Sequence, residues 1–195
     1  MKKIYPAVIL FMLLNIFAGE PRKHDGFYLR LLPGFGSGYA NYEDLFELNG
    51  PAGMFSIHFG GTVSENLILF GKVGSCSMTD PDVTVAGTFS FEAKDTTYDV
   101  TGIGLGVNYY MPENFYIAAS IDFPAATIDN GGSEGSSDTG VGGELTLGKE
   151  WWVSDNWSLG VAATGLFSVM KDQDDFDDNQ IGNLFFGILF SATYN

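Results

Sequence analysis

From Phe27 to the end of the chain, apolar residues recur at every second position, and small or polar residues fill the gaps. This is the period of a β-strand, whose successive side chains point to opposite faces, and not the 3.6-residue period of a helix. Phe27, Leu29 and Leu31 alternate with Tyr28, Arg30 and Leu32. Phe55, Ile57 and Phe59 alternate with Met54, Ser56, His58 and Gly60, and Ile103, Leu105, Val107 and Tyr109 with Gly102, Gly104, Gly106 and Asn108. Phe115, Ile117, Ala119, Ile121 and Phe123 flank Tyr116, Ala118, Ser120 and Asp122. Val141, Leu145 and Leu147 oppose Glu144, Thr146 and Gly148, while Leu159, Val161, Ala163 and Phe167 oppose Ser158, Gly160, Thr164 and Ser168. The last segment sets Phe186, Ile188, Phe190, Ala192 and Tyr194 on one side. With a less regular third stretch, Leu67 to Ser75, the pattern predicts eight strands.

A short repeat joins these strands in pairs. Val63-Ser64-Glu65-Asn66-Leu67, Met111-Pro112-Glu113-Asn114-Phe115 and Val153-Ser154-Asp155-Asn156-Trp157 share the order apolar, Ser or Pro, acid, Asn, apolar. Pro presets φ, and Ser, Asp and Asn bond to their own backbone, so each piece predicts a tight hairpin turn. Four longer polar connections alternate with these turns: Ser37 to Gly50, Ser75 to Thr97, Pro124 to Gly140 and Lys171 to Gln180. A sheet crossing lipid must close on itself so that no backbone N–H or C=O is left unpaired. The expected fold is therefore all-β, an eight-stranded antiparallel up-and-down transmembrane β-barrel. Its tight turns and both chain ends face the periplasm, and its longer loops face outward.

The faces rich in Phe, Leu, Ile and Val are expected to meet lipid, and those carrying Gly, Ser, Thr and charge to line the lumen. A soluble ligand-binding barrel would reverse them. Tyr109, Phe115, Trp151, Trp157 and Tyr194 fall beside the tight turns, where an interfacial aromatic girdle belongs. Composition fits this picture. The chain has 26 Gly, 17 Phe, 9 Tyr and 3 Trp, and only 17% of its residues are charged, against about 25% in ordinary soluble domains. A net charge of −15 repels phosphate backbones and excludes nucleic acid as a natural partner. A single cysteine, Cys76, cannot form an internal disulfide.

The chain opens with Lys2 and Lys3 followed by an apolar run from Ile4 to Ala18, the order of a secretory signal peptide. That run is too short for a spanning helix, which needs about 20 residues. The expected division is a signal peptide over 1–19 and a barrel over 20–195.

Three segments carry a resemblance: His24-Asp25-Gly26-Phe27-Tyr28-Leu29-Arg30-Leu31, Glu150-Trp151-Trp152-Val153-Ser154-Asp155-Asn156-Trp157-Ser158-Leu159-Gly160, and the terminal Leu189-Phe190-Ser191-Ala192-Thr193-Tyr194-Asn195. With them the chain resembles small outer-membrane β-barrel proteins of the eight-stranded OmpA/OmpX-like architecture, and most of all a poorly characterised branch of that family. The resemblance implies a monomer in the bacterial outer membrane. It also implies insertion by the barrel-assembly machinery and contact with outer-membrane lipid and lipopolysaccharide. It supplies no catalytic residues and no cofactor.

An eight-stranded barrel is just wide enough for its own side chains to fill it. Arg30, His58, Lys72, Asp122, Glu144 and Glu150 fall on inward positions, and buried charges of opposite sign must pair. A mostly closed, ion-paired lumen with a structural or surface-interaction role is the first expectation. A narrow channel or transporter for small solutes is the alternative. Ser56 and His58 share a strand face, which raises a third reading, an outer-membrane lipid-modifying enzyme, although spacing indicates no acid to complete a triad. His24 is expected to be a solvated end residue. Asp174, Asp175, Asp177 and Asp178 lie in the densest charge run and are weak candidates for a divalent cation, without EF-hand spacing. The Gly/Ser-rich stretch Asp129 to Gly140 is expected to be a mobile loop.

Overall fold

A computed structural model of the chain describes residues 22–43, 45–85, 87–171 and 180–195. The expected leader over 1–19 and the four aspartates of the 171–180 run lie outside the described residues. Eight long strands form the wall: β1 (Phe27–Tyr42), β2 (Phe46–Ser64), β3 (Leu67–Thr79), β6 (Thr96–Tyr110), β7 (Phe115–Asn130), β9 (Val141–Trp152), β10 (Trp157–Lys171) and β11 (Gln180–Tyr194). Each pairs antiparallel with its sequence neighbour. β1 pairs with both β2 and β11, so the sheet closes. Three short strands, β4 (Asp82–Val85), β5 (Phe89–Glu92) and β8 (Ser133–Ser136), extend it at the loop end.

All three repeats make tight turns. Asn66, Glu113 and Asn114 adopt left-handed φ of 62°, 63° and 59°, which asparagine tolerates better than most residues. The turn over 153–156 closes with the Val153 and Ser154 amides donating to the Trp157 carbonyl. Both described chain ends join this side of the barrel. The Arg22 amide donates to the Asp155 carbonyl and the Asn195 amide to the Asn156 carbonyl.

The outward wall is exposed and apolar on every long strand, with Leu105 70% exposed and Phe35, Ile103 and Ile121 above 60%. In water such a continuous belt would drive aggregation, whereas in a bilayer it is the surface that lipid solvates. Every long strand has a hydrogen-bonded neighbour on both sides, as a span through hydrocarbon requires.

Four expectations need correction. The first connection is not a long loop, because β1 and β2 stay paired through Tyr42↔Phe46. Its Gly, Ser and Asn content marks narrow wall positions and not a break. The Gly/Ser-rich stretch from Asp129 is likewise not a bare loop: β7 continues to Asn130 and folds back into the short strand β8. The third strand is regular, pairing with β6 in unbroken register from Leu67↔Tyr109 to Thr79↔Thr97. It looked irregular because its inward Ile68 and Phe70 are as apolar as its outward Leu69.

The same cause corrects the fourth. The lumen is not uniformly polar, since Leu32, Leu48, Met54, Met78, Phe185 and Leu189 form a buried apolar core towards the loop end. A barrel of this width packs its interior like a protein core, so the inner faces carry charge only in the half nearer the tight turns.

Candidate functional site

The inward positions of five strands converge on Arg30, whose side chain is fully buried. Arg30 lies opposite Thr193 in the β1–β11 register, and Thr193 lies opposite Ser158 in β10–β11. Glu150, on β9, lies opposite Gly160, where a Cβ would collide with the Glu150 side chain. Glycine at that position leaves the carboxylate room to turn into the lumen.

Arg30 Nη2 stands 3.1 Å from Glu150 Oε1. Its remaining donors are also used: Nε donates to Thr193 Oγ1 at 2.9 Å, Nη1 to Asn108 Oδ1 at 3.1 Å and Nη2 to the Tyr110 hydroxyl at 2.7 Å. Glu150 in turn accepts from Thr193 Oγ1, the Tyr110 hydroxyl and Ser158 Oγ at 2.6–2.8 Å. The guanidinium carbon sits 3.8 Å from the Tyr116 ring centroid, a cation–π contact shielded from bulk solvent by burial. Gly148 makes space for that ring, because a Cβ there would strike Tyr116. Arg30, Glu150, Tyr28, Tyr110 and Tyr116 are all 1% exposed or less, so the lumen is filled at this level.

A second layer lies nearer the loops. Lys72 Nζ is 2.8 Å from Asp122 Oδ2 and 2.6 Å from Glu144 Oε2, joining β3 to β7 and β9. Between Lys72 and Asp122 runs β6, whose residue in the same register row is Gly104. A Cβ on Gly104 would overlap Asp122 Oδ1, so glycine is what lets the ammonium reach a carboxylate two strands away. Ser120 Oγ holds Asp122 Oδ1 and Thr146 Oγ1 holds Glu144 Oε1, each at 2.9 Å. One cation thus faces two fully anchored carboxylates. Above them the space narrows to a cavity of about 30 Å³ lined by Ser56, Lys72, Cys76, Asp122, Glu144 and Leu189, room for about one or two waters.

Ser56 Oγ lies 3.4 Å from His58 Nε2, and the His58 ring stacks on Phe70 at 4.4 Å. His58 Nδ1 has no hydrogen-bond partner among the described residues. A nucleophile–base pair needs a third group to orient the imidazole, and this geometry does not supply one. Among the described residues no group of three or more His, Cys, Asp or Glu side chains could hold a metal ion.

Of the five girdle residues, Tyr109, Phe115 and Trp151 stand 44–51% exposed on the outer wall, and Trp157 is half-buried. Tyr194 departs from expectation. It keeps outward parity but is covered by Trp157 and Phe27, at ring distances of 5.4 and 6.5 Å.

His24 is also corrected: it is buried, not solvated. Its ring stacks on Tyr110 at 3.3 Å and on Trp152 at 5.0 Å, and its Nε2 lies 3.2 Å from Asn114 Oδ1. The residue thereby caps the Arg30–Glu150 layer from the tight-turn end. Burial lowers its pKa, opposed by the Asn114 contact and the Glu150 charge and reinforced by Arg30. Released from the barrel, the imidazole takes up a proton near its ordinary value of about 6.5. Docking is therefore fully stable above that pH and weakens as pH falls through it. Trp152 fluorescence in the wild type is expected to change on acidification below about pH 6.5, and the same titration of His24→Phe should be flat. Equal titrations would refute the cap.

The six charged or ionisable residues expected to face inward are all buried, and Arg30, Asp122, Glu144 and Glu150 are anchored by hydroxyls and an amide that the sequence does not mark: Asn108, Tyr110, Ser158 and Thr193 below, Ser120 and Thr146 above. Their only signal was inward parity, which they share with many residues that bind nothing.

A closed eight-stranded sheet with a lipid-compatible exterior and an ion-paired interior defines a transmembrane β-barrel. No protein-family model and no curated protein matches the sequence. Among solved structures the chain is similar to Neisserial surface protein A, with TM-score 0.51 and 17% identity over 84% of this chain and 95% of that one. It is also similar to the outer membrane protein AlkL, solved by solid-state NMR in DMPC bilayers, with TM-score 0.50 and 11% identity over 100% and 96%. At these identities the likeness is one of fold, the fold of eight-stranded outer-membrane barrels.

Proposed function

We propose that this protein resides in the bacterial outer membrane as a monomeric, closed barrel that contributes to envelope integrity and presents its loop end for surface contact. The observation that carries this reading is the double obstruction of the lumen, by Arg30–Glu150 and by Lys72–Asp122–Glu144, inside a lipid-facing wall. Opening a path for solute would mean parting buried charges from their partners at two levels, each at a cost of several kcal/mol. At the loop end the exposed acids Glu43, Asp80, Asp82, Glu92, Asp95 and Glu134 stand beside the exposed apolar Leu45, Val85, Phe89 and Phe91, and this mixed surface supports a role in contact with the surroundings.

Planar-bilayer recordings of the refolded wild type are expected to show no stable conductance steps, and proteoliposomes no release of small solutes. Reproducible single-channel steps would overturn the closed reading in favour of a narrow channel. Location is tested by membrane fractionation of the native host. The protein is expected with the outer-membrane fraction and to migrate faster on gels when unheated than when boiled.

A further inference from the structure

The lipid-facing wall is not evenly covered. Near the tight turns the outward Ala163 lies between the larger Leu147 and Ile188 and leaves a groove of about 490 Å³ on the outer surface, walled also by Phe115 and Val161. That volume falls within the about 300–1,000 Å³ of small-molecule sites. At the turn end of the groove stands Lys149, on the outward face of β9 between Leu147 and Trp151. Its Nζ lies 4.1 Å from the Phe115 ring centroid and 5.9 Å from that of Trp151, a side chain snorkelling along the aromatic girdle.

Beyond Lys149, at the tip of the turn, is Glu113, whose side chain is 77% exposed. The Lys149–Glu113 separation is 3.4 Å, longer than the about 2.7–2.9 Å of a tight charge-assisted hydrogen bond. Of the other described cations, Arg30 and Lys72 point into the lumen, Arg22 and Lys23 precede β1, and Lys94 and Lys171 lie at the loop end. Among the described residues Lys149 is therefore the one cation on the lipid-facing wall near the tight turns of a strongly acidic chain.

From the middle of the barrel towards the periplasm the wall runs apolar groove, ammonium at the interface, carboxylate in water. A phosphoethanolamine-headed phospholipid runs in the same direction with complementary chemistry: acyl chain, phosphate, ammonium. We infer that this groove is a site for one such lipid of the periplasmic leaflet. The acyl chain lies over Ala163, the phosphate meets Lys149 Nζ and the lipid ammonium meets the Glu113 carboxylate. The loose Lys149–Glu113 pair admits a zwitterion between its two charges. The inference rests on the proposed bilayer location and adds to it a particular lipid at a particular place.

The test uses the full barrel refolded into vesicles of equal phosphatidylethanolamine and phosphatidylglycerol, extracted in mild detergent and weighed by native mass spectrometry. The wild type is expected to retain one phosphatidylethanolamine. Ala163→Phe fills the groove and Lys149→Gln removes the phosphate contact, and each should lower occupancy by about fivefold. Glu113→Gln should keep a lipid but lose the preference for ethanolamine over glycerol headgroups. Occupancy of Ala163→Phe and Lys149→Gln within about twofold of wild type would overturn the site. So would wild-type retention of both headgroups alike. Insertion is scored separately by the faster migration of unheated samples. An inserted barrel with indifferent lipids refutes only the site, whereas failure to insert refutes the membrane reading and the site with it.

Discussion

Replacing Glu150 with alanine is expected to lower the stability of the barrel by about 3–5 kcal/mol, because it leaves Arg30 charged, buried and without its counter-ion. Arg30 keeps hydrogen bonds to Thr193, Asn108 and Tyr110 in this variant, but none of those partners carries negative charge. Thr193, Tyr110 and Ser158 lose their common acceptor at the same time. Urea unfolding in phospholipid vesicles, followed by tryptophan fluorescence, measures the loss. The double variant Arg30→Met/Glu150→Leu removes both charges and should recover most of it, since a buried pair often gains little over apolar residues of similar volume. A single variant as stable as the wild type would show that the guanidinium is neutralised elsewhere, and the account of the basal layer would fail. Conductance of the single variant should stay negligible, because the Lys72 layer still blocks the lumen.

The second large effect is expected at Lys72. Lys72→Met leaves the Asp122 and Glu144 carboxylates buried in one cluster with no cation within reach, a loss of about 3–5 kcal/mol by the same argument. Adding Asp122→Asn and Glu144→Gln to this variant should restore much of the stability. The amides keep the shape of the carboxylates and can still accept from Ser120 and Thr146. If the triple variant were no better than Lys72→Met alone, the loss would come from packing of the lysine stem and not from charge.

Much of this was legible in the sequence, for a definable reason. Strand number, turn positions and the outward faces follow from local period and local turn chemistry, which act within a few residues of the chain. Hence Phe55-Ser56-Ile57-His58 could be sorted into lipid-facing and lumen-facing residues without a structure. The alternation carries no signal where both faces have the same polarity. Ile68-Leu69-Phe70 alternates in direction but not in chemistry, so the third strand looked irregular. Gly38 fell within the stretch expected to be a loop, yet it is a wall position pressed against Phe185 of β11. His24 was misread because its burial depends on Tyr110 and Trp152, more than 80 residues away.

The alternation of side chains, the turn repeats and the scarcity of charge determine by themselves that this chain forms a closed transmembrane barrel with a particular set of charges turned inward. Which of those charges meet was decided only by tertiary structure. Pairing depends on the stagger between strands far apart in sequence, and on glycines such as Gly104 and Gly160 that open space for a carboxylate on a neighbouring strand. Strand period says which face a residue occupies. Height along the barrel axis is set by register summed around the whole ring, and that sum places Arg30 beside Glu150 and leaves Lys72 to Asp122 and Glu144.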